Sequence, residues 1–119
     1  MTASYDESDI PVDGPETVAE KRLLASLGRQ ARTVNLARVV RLLELLDAAD
    51  AGDLDEAGRS EAENLAHQVV GSAGTFGFPG ASVEAVSIED YFATPFAGSD
   101  AEAGLVRGTL ERLRAEFQG

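Results

Sequence analysis

Cysteine is absent from the 119 residues, tryptophan is absent too, and there is one histidine. Without thiols neither a disulfide framework nor a thiolate zinc site can form, and a lone imidazole cannot build a multi-histidine metal cluster, so no metal is expected on this chain. No apolar run approaches the roughly eighteen residues of a membrane span, and the acidic start from Met1 to Asp13 lacks the positive flank and apolar stretch of a secretory signal. A cytoplasmic protein with no membrane partner is the expectation. Basic residues are also scarce: 10 Lys and Arg against 21 Asp and Glu leave a net charge of −11, which argues against a nucleic-acid partner because phosphate neutralisation needs a basic face. Gly71, Gly74, Gly77 and Gly80 recur every third residue, but the glycine-rich run ending in Lys-Ser/Thr that cradles nucleotide phosphates is missing. Sustained alternation of apolar and polar residues, the mark of a half-buried strand, is missing as well.

What is present suits one soluble domain, since 44% hydrophobic and 26% charged residues are ordinary globular values. The preference for arginine, with Lys21 the only lysine, is compatible with a GC-rich bacterial genome. Residues 1–14 read as a flexible acidic arm and 15–119 as one helical domain with its bundle core at about 34–118. Lys21, Arg22, Arg29, Arg32, Arg38 and Arg41 follow one another with no acidic residue between them, either as a solvated helix face or as a surface for an acidic protein.

Pro15 suits the first position of a helix, expected over about 15–31 and weakened at its end by Gly28. Thr33 or Asn35 then caps a second helix, whose apolar residues Leu36, Val39, Val40, Leu43 and Leu46 recur at helical spacing up to about Ala51, with Arg38 and Arg41 opposite and Gly52 as the stop. Asp53 with Glu56 three residues later has capping-box spacing and starts a third helix near Leu54. Its stripe is Ala62, Leu65, Ala66, Val69, Val70, Ala73 and Phe76. After Pro79 and Gly80, Ala81, Ala85, Ile88 and Phe92 mark a fourth helix. Ser99 or Asp100 caps a last one, with Leu105 or Val106, Leu110, Leu113 and Phe117 inward and Arg107, Arg112 and Arg114 near its negative end. The fold class is all-α: an antiparallel four-helix bundle with an additional N-terminal helix laid across or extending it.

At 100° per residue the stripe of the third helix is centred about 140° from His67, so the imidazole points to solvent or a groove edge. Glu63 and Asn64 lie one turn before it on that side, Gly71 one turn after and Gly74 two turns after. Each glycine inside a helix costs about 1 kcal/mol relative to alanine, so something makes use of that space: either a group approaching the ring, or a neighbouring helix. Neutral imidazole is a nucleophile near pH 7, and a ring nitrogen can accept a phosphoryl group when the donor brings the metal and the charge-stabilising groups. A catalytic triad or a Glu63–His67 metal site has too few members.

The run Ala66-His67-Gln68-Val69-Val70-Gly71-Ser72-Ala73-Gly74-Thr75-Phe76-Gly77 resembles the signature of histidine-containing phosphotransfer (HPt) domains, in which alanine-histidine precedes an apolar residue, lysine and glycine-serine. Ala51-Gly52-Asp53-Leu54 resembles the turn before the family's histidine helix, and Ile88-Glu89 a leucine-glutamate pair in the next. The resemblance implies a phosphorelay carrier in which His67 takes a phosphoryl group from a receiver-domain phospho-aspartate and passes it to another receiver aspartate. Gln68, Val70, Gly71, Gly74, Glu63 and Asn64 would surround the phosphoryl group, and Gly71 would clear room for it, with Ser72 structural. Val70 departs from the pattern, standing where the family commonly has lysine, and Arg38 or Arg41 would replace the charge or touch the partner. The implied partners are a response-regulator receiver domain and a hybrid histidine kinase. Mg²⁺ is expected on the receiver, and this chain, a monomer, binds no cofactor and has no kinase activity of its own. The departure at Val70 also keeps open an adaptor or inhibitor that binds a receiver or kinase without transferring phosphate.

Overall fold

Large buried side chains fill the bundle from every helix, and a run of alanines marks the face between two of them. The computed structural model describes residues 15–93 and 100–119, so the expected arm at 1–14 and cap at Ser99 lie outside the described residues. Four helices follow one another: α1 (Pro15–Asp50), α2 (Glu56–Thr75), α3 (Pro79–Phe92) and α4 (Asp100–Gln118). Short turns at 51–55 and 76–78 reverse the chain, making α2 antiparallel to both α1 and α3. α2 touches α1 and α3, and α4 closes the ring against α3 and α1. Among the described residues the diagonal pairs do not meet. This is the all-α four-helix bundle that the sequence periodicity predicts.

The expected helices at 15–31 and 35–51 are one continuous helix. A lone glycine such as Gly28 costs only about 1 kcal/mol in a helix, and neither expected cap acts as one. The Thr33 hydroxyl donates back to the Arg29 carbonyl at 3.1 Å, a bond compatible with a helix interior. Asn35 is fully buried. The additional N-terminal helix is therefore an extension of the first bundle helix. Gly52, with φ of 77°, ends α1, and the Asp53 amide donates to the Ala48 carbonyl at 2.8 Å in the six-to-one bond of a Schellman turn. That use of Asp53 moves the α2 cap to Asp55, whose Oδ1 accepts from the Gly58 amide at 2.8 Å. Gly77, with φ of 96°, and the Phe78 amide bonded to the Ala73 carbonyl end α2 in the same way.

The core takes Val39, Leu42 and Leu46 from α1 and Leu110, Leu113 and Phe117 from α4, each fully or almost fully buried. A leucine or phenylalanine so buried stabilises the fold by roughly 1.5–3 kcal/mol. Because α1 packs on both α2 and α4, its buried face is wider than the expected stripe: Leu42 and Leu45 join it, while Val40 is exposed. In α4 the inward residue is Val106, and Leu105 is exposed. Arg107 pairs with Asp47 and Asp50 at 2.8 Å each, and Arg112 reaches Glu84 at 3.3 Å, so these arginines bridge helices rather than complete the α4 dipole.

The seam between α2 and α3 is different. Ala62, Ala66 and Ala73 face it from α2 and Ala81 and Ala85 from α3, all fully buried. Side chains this small let the two backbones approach closely. One end is held by Arg59, which pairs with Glu56 and donates to the Phe92 carbonyl at the end of α3. At the other end the Ser82 hydroxyl, in the first turn of α3, donates to the Val70 carbonyl at 2.7 Å.

Candidate functional site

His67 stands midway along that seam, outside the core, with its side chain 73% exposed. Its Nδ1 lies 2.9 Å from Glu89 Oε2 across the seam, and the Glu89 side chain is 26% exposed. A carboxylate only accepts, so Nδ1 carries the proton. In the neutral ring the lone pair is then on Nε2, the nitrogen left facing solvent. The ring, carried by α2, is oriented by the hydrogen bond that its Nδ1–H donates to Glu89 of α3, and Nε2 is the nitrogen left for chemistry.

The two glycines beside the ring turn out to do different things. A Cβ built on Gly71 meets nothing within 4 Å, so the space one turn beyond His67 is open. A Cβ on Gly74 would lie 3.1 Å from Ser82 Oγ, so this glycine serves the close approach of α3. Packing accounts for Gly74, while Gly71 leaves open space on the side of α2 that carries the ring. Val70 is half-buried and packs against the core, leaving no cation at the position next to Gly71.

The remaining expected residues divide between the two flanks of α2. Asn64 and Gln68 are exposed, and Gln68 borders a groove against α1 together with Arg38 and Ser72. Glu63 lies 3.5 Å from Arg59 Nη1, an ion pair one turn apart on the same helix. Arg41 is engaged within the chain: it grips both Glu61 oxygens at 2.8 and 2.9 Å and reaches Glu44 at 3.1 Å, all on the surface. Hydrogen bonding by that guanidinium holds the Glu61 carboxyl below its ordinary range. Arg38 is not opposite the buried stripe, as the periodicity suggested, but half-buried at its edge, where Nη1 donates to Asn35 Oδ1 at 2.8 Å. Asn35 in turn donates through Nδ2 to Ser72 Oγ at 3.2 Å, which makes Ser72 structural.

The sequence reading gives Glu89 no role and Asn35 a different one, that of a helix cap. Glu89 follows the core residue Ile88, and only the pairing of α2 with α3 places it opposite His67. Asn35 carried a signal, since it precedes Val39 by four and Leu42 by seven and so falls on the buried face. Among the described residues no three His, Cys, Asp or Glu side chains converge on a metal position, and no helix is long and apolar enough to cross a membrane.

A family model described as the Hpt domain matches residues 30–118, which include α2, α3, α4 and the bundle part of α1. No curated protein and no solved structure gives a match.

Proposed function

This chain belongs to the Hpt domain family, whose general role is histidine phosphotransfer in phosphorelays, and from that premise we propose that His67 is its phosphoryl acceptor. The donor is a receiver domain carrying phospho-aspartate, and the acceptor of the next step is another receiver aspartate. The observation that carries this reading is the His67–Glu89 pair: an exposed ring held by a carboxylate at one nitrogen, with the other nitrogen free.

Nε2 attacks phosphorus in line, the N–P bond forms, and the bond from phosphorus to the aspartyl oxygen breaks, returning the aspartate as a carboxylate. Positive charge develops on the ring as the bond forms. Glu89, accepting from Nδ1–H, offsets it, while the ring keeps its orientation. Open space at Gly71 admits the phosphoryl oxygens. The receiver supplies Mg²⁺ and the groups that neutralise the transferring oxygens, so this chain acts as a carrier without kinase activity. Arg38, which makes no ion pair among the described residues, is the cation available at the rim for an acidic receiver pocket.

Incubation with a phosphorylated receiver is expected to leave acid-labile, alkali-stable label on this chain, and His67→Ala to abolish it. Label that persists in His67→Ala defeats the assignment. Val70→Lys separates the carrier from the adaptor: a unit charge at about 4 Å is worth about 1 kcal/mol in water, so a carrier gains up to about tenfold in rate. An adaptor takes no label in either form and binds its receiver equally well with or without the imidazole.

A further inference from the structure

Helix α1 outruns the bundle. From Val18 to Ala25 every side chain is exposed, and Leu23 and Leu24 are 59% and 61% exposed. Glu20, Leu24, Leu27, Ala31, Val34 and Arg38 follow at steps of four, three, four, three and four residues. That is the spacing of a helix–helix seam, apolar in the middle and oppositely charged at its ends. The first part of the stripe overhangs with nothing packed on it among the described residues. The second part borders the open groove between α1 and α2, lined by Leu27, Ala31, Val34 and Arg38 on one side and Gln68 and Ser72 on the other.

The steps are symmetric about Arg29. Laid antiparallel on a second copy, Leu24 meets Val34 of the other chain, Leu27 meets Ala31, and Glu20 meets Arg38. Neither Glu20 nor Arg38 has an ion-pair partner among the described residues, whereas Arg41, Arg59, Arg107 and Arg112 all do. A parallel arrangement would set Glu20 against Glu20 and Arg38 against Arg38, so charge selects the antiparallel one.

We propose that two copies of this chain associate through α1 in this antiparallel register, the overhang of each filling the α1–α2 groove of the other. The contact is isologous, so each groove is filled by the same segment that the other chain presents. It replaces the monomer expected from the sequence. The patch is small, and interfaces below about 1,200 Å² belong to the transient class, so the association is weak and reversible. Because Arg38 and Gln68 both line the groove, the second copy covers this flank of the helix that carries His67 and competes with a receiver for Arg38.

Sedimentation velocity on the full chain, from low to high micromolar concentration, is the test. A reversible monomer–dimer shift is expected, and Leu24→Glu is expected to remain monomeric with unchanged helical circular dichroism, because that side chain is exposed and lies outside the core of its own bundle. Glu20→Arg or Arg38→Glu alone should weaken the dimer about tenfold, and the double variant should recover it, since the swapped pair matches again only in the antiparallel register. A monomer at every concentration overturns the proposal. So does a dimer indifferent to Leu24→Glu, or a double variant no better than the singles. If Leu24→Glu loses receiver binding in a chain that never self-associates, the stripe belongs to the receiver instead.

Discussion

The two flanks of α2 are built on different terms. Toward α3, alanines and one glycine let the backbones lie close, and the outward edge holds a ring against a carboxylate. Toward α1 the contact mixes leucines with polar side chains: Asn35 is buried whole and bonded to Ser72 and Arg38, and Arg41 is chelated by Glu61. The first flank depends on clearance and the second on satisfied polar partners. A chemical position is therefore supported from one side and a structural one from the other, within a single helix of 20 residues.

Overfilling the α3 flank should have the largest effect. Ala85→Leu inserts three carbons into a fully buried seam and should cost about 1–3 kcal/mol, seen as a lower thermal midpoint, together with loss of transfer as the ring and carboxylate separate. Retained transfer at normal speed would show that the close seam is not what positions Glu89. On the other flank, Asn35→Ala leaves Ser72 and Arg38 without their partner and should cost about 1–2 kcal/mol in denaturant titration. His67 should still take label, because nothing on that side touches the ring. A collapse of labelling would erase the distinction between the flanks.

Glu89→Gln keeps an acceptor for Nδ1–H but removes its charge. Stability should hardly change, while transfer slows about tenfold, as expected for one charge-assisted hydrogen bond near 1.5 kcal/mol. Acid titration gives the smallest effect. Glu61 is held below its ordinary carboxyl value by Arg41, so its stabilising contribution is present above that ordinary value and disappears as pH falls through the lowered one. Glu61→Gln should be slightly less stable than the parent at neutral pH, and the two should converge in acid. The pair is exposed, and the gap is correspondingly modest.

Most of the bundle could be read from apolar spacing, because Val39, Leu46, Ala62, Ala66, Val69, Ala73, Ile88 and Phe92 repeat with the period of a helix whose neighbours cover one side. Helix ends were less legible. Asp53 and Asp55 are chemically equivalent caps, and the choice between them is made by the turn at Gly52, which consumes the amide of Asp53. Asn35 and Thr33 look like caps in a one-dimensional reading, but within a continuous helix they are a buried hydrogen-bonding residue and a back-bonded hydroxyl. His67 and its open neighbour Gly71 were visible because both lie on one helix, where angle follows from sequence distance. Glu89 was not, since its meeting with His67 depends on how two helices slide past each other, a quantity no single-helix periodicity encodes. Gly74 was ambiguous for the same reason until Ser82 was seen opposite it.

That sliding is arrested at both extremities of the seam, by Arg59 on the last carbonyl of α3 and by Ser82 on the Val70 carbonyl. A one-turn ratchet would displace one helix by about 5.4 Å and would break both fastenings together. The register that sets the imidazole against the carboxylate is therefore held from both ends. Under the proposed function, a donor meets the ring in a register that asks for no sliding of the helices before transfer.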